Sequence, residues 1–77
     1  MDRTMLVQHL AQAERHIAMG RRNIASQRRI VDELRRDRHP TEMAERILAI
    51  YEDLLALHEE DAARLRKELE PLAAAGS

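Results

Sequence analysis

Four histidines, His9, His16, His39 and His58, are the only imidazoles in a chain that has no cysteine. General-base, nucleophilic or metal chemistry would have to begin with them. His9 and His16 are two helical turns apart, so a helix carries both on one face, and an antiparallel return can bring Asp61 and Glu68 opposite. A clip of His16, Asp61 and His9 would have the ligand types of a divalent-metal site. The pattern stops short of a metal signature, because Glu-x-x-His, which a di-iron bundle needs on its paired helices, does not occur. Edge ion pairs or places along a dimer seam account for His9 and His16, His58 reads as a core histidine with one hydrogen bond, and no metal ligand is assigned. No Ser/His/Asp or Cys/His arrangement falls in a loop, there is no glycine-rich phosphate loop, and a two-helix layer leaves no room for an enclosed pocket. The expectation is a protein without catalytic residues and without a cofactor.

Arginine is the other chemically active type. It recurs in pairs at heptad spacing, Arg21-Arg22, Arg28-Arg29 and Arg35-Arg36, followed by Arg38. The second of each pair, Arg22, Arg29 and Arg36, falls on one outward line that could track phosphates. Against nucleic acid stand the nearby Asp32, Glu33 and Asp37, an acidic second half, and the lack of aromatic rings on which bases could stack. The row reads as a solvated helix face, with a nucleic-acid-associated protein as the alternative function and a histidine–carboxylate metal binder behind it.

Two long helices must position these groups. Arg38-His39-Pro40-Thr41 is the one strong break: Pro40 disfavours helix at His39, and Thr41 can cap a following helix with Glu42 and Glu45 in its first turn. The spacing predicts a helix over about 4–37, a loop over 38–41, a helix over about 41–70 stopped by Pro71, and a frayed tail over 71–77. The first helix has a positions Leu10, Ile17, Ile24 and Val31, and d positions Leu6, Ala13, Gly20, Gln27 and Leu34. The second has a positions Leu48, Leu55, Ala62 and Leu69, and d positions Ala44, Tyr51, His58, Leu65 and Leu72. A seam kept for four heptads in each helix predicts coiled-coil packing, hence an all-α antiparallel hairpin forming a single domain over 1–77.

Folding about residues 39–40 pairs positions whose numbers sum to about 79. Gln27 then shares a layer with Tyr51, and Gly20 shares one with His58, the glycine making room for the ring. These four are the expected core-specificity residues, since polar groups in a helical seam set register. On the flanks the same register pairs Arg35 with Glu45, Arg28 with Glu52, Arg21 with Glu59, His16 with Asp61 and His9 with Glu68. Residues 1–40 hold nine Lys/Arg against five Asp/Glu, and residues 41–77 hold four against nine. Oppositely charged halves of one short chain suit each other.

A second apolar stripe, Met43, Ile47, Ile50, Leu54 and Leu57, joined by Ile30 and Met19, is left over. So large a patch on so small a protein marks an interface. Pairing with a second copy gives a C2 four-helix bundle, and a groove for another protein's helix is the other use. The function expected is a small self-associating scaffold or regulatory adaptor. With no apolar run near the roughly 20 residues of a membrane span, and no signal-peptide core at Met1-Asp2-Arg3-Thr4, the cytoplasm is the expected location and no membrane partner is expected.

The run from His9 through His16 to Gly20, followed by Ile24, Gln27, Ile30 and Leu34, resembles a family of short bacterial proteins of alpha-proteobacterial type. His39-Pro40-Thr41 and Leu54-Leu55-Ala56-Leu57-His58 fit the resemblance, which covers nearly the whole chain. It implies a helical hairpin in a bacterial cytoplasm. The family has no assigned activity, so no functional residue is carried over.

Overall fold

The computed structural model describes residues 2–75, with side chains described as far as Pro71. Two α-helices, α1 (Arg3–Arg36) and α2 (Glu42–Ala75), each of 34 residues, pack antiparallel. Together they form a rod of 59 × 15 × 14 Å, and no strand occurs among the described residues.

Cap chemistry sets the helix ends. Asp2 lies in extended backbone, and its Oδ1 accepts from the Met5 N–H at 2.9 Å, so α1 starts one residue earlier than the seam suggests. At the other end the His39 N–H reaches the Leu34 carbonyl at 2.8 Å and the Arg38 N–H reaches that of Arg35 at 3.1 Å. That double closure is a Schellman motif, with Arg38 at φ 59° in the left-handed position usually held by glycine. The chain then turns through Pro40, and the Thr41 carbonyl takes the Glu45 N–H at 2.9 Å to open α2. The loop is therefore 37–41.

Pro71 does not stop α2, which continues to Ala75. Proline there removes the single backbone bond to the Lys67 carbonyl, and Pro71 is exposed, so water can take that bond's place while alanines carry the helix on. Gly76 and Ser77, the end of the expected tail, lie outside the described residues.

The core follows the seam. Leu6, Ala13, Ile17, Ala62 and Leu65 form its buried centre, with Leu10, Leu55 and Leu69 packed against it. Toward the loop, Ile24, Val31 and Ala44 are buried as well. The layering differs from the expected one. A Cβ built on Gly20 meets Leu55, at 3.4 Å from Cδ1 and 3.7 Å from Cβ, so Gly20 is backed by Leu55 and not by His58. Gln27, 7% exposed, donates from Nε2 to the Ala44 carbonyl at 3.0 Å and does not pair with Tyr51. Gly20 and Leu55 sum to 75, a d residue facing an a residue, and Gln27 reaches one turn beyond its own layer to Ala44. The cause is direction: antiparallel helices bring their two e edges together, so a residues from both would crowd one side of the seam. A filled layer takes one a and one d.

Candidate self-association surface

The two long edges of the hairpin are chemically unlike. On the e edge the arginines of α1 meet carboxylates of α2: Arg35–Glu45 at 2.5 Å, Arg28–Glu52 at 3.8 Å and Arg21–Glu59 at 3.6 Å. These are the three pairs expected from the sequence. A fourth, Glu14–Arg66 at 3.9 Å, extends the row with its polarity reversed. It shares the numerical sum of the other three, and arithmetic on the heptads could have found it. The clefts on this edge are lined by these same charged groups.

The opposite edge has no ion pair between helices among the described residues. Its loop-proximal half holds an apolar groove of about 140 Å³ between His16, Met19, Gly20 and Asn23 on α1 and Tyr51, Leu54, Leu55 and His58 on α2. Its other half is a polar cleft of about 310 Å³ where His9, Gln12 and His16 face His58, Asp61 and Arg64. The expected pairs His16–Asp61 and His9–Glu68 do not form. Arg64 takes both carboxylates from within α2, binding Asp61 closely and Glu68 at 3.2 Å. The bond to Asp61, then its charge, holds the Arg64 guanidinium above its ordinary pKa. His16 turns instead to His58, ring centroids 4.9 Å apart and tilted by 54°. Among the described residues no group of three or more His, Asp or Glu side chains is placed to hold a metal ion.

The leftover stripe lies on the apolar half. Leu54 lines the groove, and Met43, Ile47, Ile50 and Leu57 continue from it at 3–4 residue steps along one face of α2. Ile30 stands one heptad beyond Asn23. Met43 is 66% exposed, Leu57 60%, Ile50 56%, Leu54 46% and Ile30 45%, while Ile47 is half-buried. Met5 and Val7 are exposed too. Sequence reasoning passed over Met5, although it precedes Met19 by two heptads. Of the expected core-specificity residues, Gln27 alone is fully buried, and Gly20, Tyr51 and His58 are half-buried along the groove. Comparison with protein-family models, with curated proteins and with solved structures finds no match for this chain.

Proposed function

We propose that the chain is a non-catalytic protein-interaction module of the cytoplasm whose first partner is a second copy of itself, two hairpins closing into a four-helix bundle over the apolar edge. The observation that carries this reading is the division of labour between edges. The e edge is closed by four ion pairs, while large apolar side chains collect unpaired on the other. Area supports it. The exposed surface is 5954 Å², whereas a compact monomer of 8.9 kDa exposes about 4,800 Å². The excess is on the scale of the roughly 800 Å² that each partner buries in a standard interface.

Charge selects the arrangement. α1 carries eight arginines against three acids, and α2 carries four basic residues against nine acids. A two-fold axis along the rod, with both loops at one end, sets α1 against the partner's α2. Every neighbouring pair of helices is then antiparallel and opposite in charge, and the apolar halves coincide. Such a bundle would serve as a scaffold or regulatory adaptor, presenting the outer faces of its helices to others.

Sedimentation across a range of micromolar concentrations tests the reading. Wild type should run as a dimer. Met43→Gln/Leu57→Gln, which removes exposed side chains without touching the hairpin core, should stay helical and dissociate at least tenfold more readily. Leu54→Glu should give monomer or unfold, because its charge would be buried unpaired. A wild type that remains a stably helical monomer at high micromolar concentration overturns it. A monomer whose Met43→Gln/Leu57→Gln variant is better behaved in solution, and which binds an added amphipathic helix, would assign the edge to a different protein's helix.

A further inference from the structure

We propose that the outer face of α1 binds the phosphate backbone of a double-stranded nucleic acid through a single row of arginines, Arg15, Arg22, Arg29 and Arg36. The row keeps strict heptad spacing, one arginine every ~10.5 Å, and spans about 31 Å, close to one turn of duplex. All four are exposed, and none enters an ion pair among the described residues. Their one side-chain hydrogen bond among the described residues is a long one, Arg29 Nη2 to Ser26 Oγ at 3.4 Å. Residues 15–31 contain five arginines and no acid. Ala11, Ala18 and Ala25 run along one side of the row, and Gln12, Met19, Ser26 and Glu33 along the other, so the alanine side is the one open to a phosphate ridge.

Two objections that the sequence raises are answered by the fold. Asp32 is turned to Arg35 at 3.9 Å, and Glu45, Glu52 and Glu59 are engaged on the e edge by the other arginine row. The acids of α2 therefore neutralise Arg21, Arg28 and Arg35 and leave the outer row unmatched. Glu33 and Asp37 stay near Arg36 in sequence, which makes Arg36 the weakest member. The third objection, the lack of aromatics, selects the ligand. Tyr51 is the sole aromatic residue and is half-buried beside the groove, so bases have no stacking platform. Contacts are confined to phosphates, which a duplex presents in regular array. The row borders the apolar edge at Met19 but includes none of the residues that line it, so its binding does not rest on self-association.

Fluorescence anisotropy with a labelled mixed-sequence DNA duplex, the matching RNA duplex and one single strand provides the test. Duplex binding should show no sequence preference. Four phosphate contacts release counterions in proportion, so affinity should fall about a hundredfold between 50 and 200 mM salt. Arg15→Gln/Arg22→Gln/Arg29→Gln/Arg36→Gln should lose the binding while keeping wild-type helicity and wild-type mass in sedimentation. Arg22→Gln alone should weaken it more than Arg36→Gln. No binding at 50 mM salt overturns the proposal, as does undiminished binding by the fourfold variant. Retention on vesicles of anionic phospholipid without retention of either duplex would overturn it in favour of a membrane surface.

Discussion

A residue held at φ 59° favours glycine, and at the end of α1 the chain places Arg38 there, while a glycine stands inside the helix at position 20. Both should therefore be improvable. Arg38→Gly relieves a left-handed side-chain conformation and should stabilise by about 0.5–1 kcal/mol in urea melts, less what the looser unfolded chain gives back. Gly20→Ala should stabilise by up to about 1 kcal/mol, because the new methyl meets Leu55 at 3.4–3.7 Å, an ordinary contact. A loss of stability in Gly20→Ala would show that the helices approach more closely than this. Gly20→Leu should overpack, and a double-mutant cycle should couple it more strongly to Leu55 than to His58. Gln27 is legible as a seam residue from the heptads alone. Its partner is not, since a side chain that long can reach a carbonyl a full turn from its own level. Gln27→Ala should cost about 1–2 kcal/mol in lost packing and one buried hydrogen bond.

At the scale of the helices, ends and edges were unequally legible. Pro40, Thr41 and the acidic first turn mark the loop in any reading of the sequence. The Schellman closure was hidden because no glycine announces it, and Pro71 misled because proline ends a helix only where its lost bond matters. The e edge was legible because ion pairs between long side chains tolerate error in register; the same pairs form whether layers are matched a to a or a to d. Exposed pairs are worth little singly, about 0.2–1 kcal/mol each. Glu45→Arg should destabilise by about that much, and Arg35→Glu/Glu45→Arg should recover most of it. A double mutant no better than the worse single would remove this pair from the list of contacts that align the helices. Salt should weaken the row as a whole.

For the whole molecule, a rod only two helices thick cannot enclose what it carries. Among the described residues eight hydrophobic side chains are buried, three of them alanines, against eight large hydrophobics left exposed. A core of that size contributes marginal stability on its own, so folding and pairing should be linked. The melting temperature of wild type should rise with protein concentration, and that of Met43→Gln/Leu57→Gln should not. Equal melting temperatures at all concentrations would mean that the hairpin stands alone.

Pro40 and Thr41 by themselves marked the loop, and periodicity by itself determined the two helices, the seam and the exposed stripe, because each depends only on residue type and the 3.6-residue turn. Which residues meet across the seam was decided by tertiary structure. A helix repeats every heptad, so several registers offer the same apolar and charged faces, and only side-chain volume separates them. That is why Leu55 rather than His58 backs Gly20, and why His16 turns to His58 rather than to Asp61. Local competition is likewise invisible until the chain is folded: Arg64 is three residues from Asp61 and four from Glu68, and it claims both before any group on α1 can reach them.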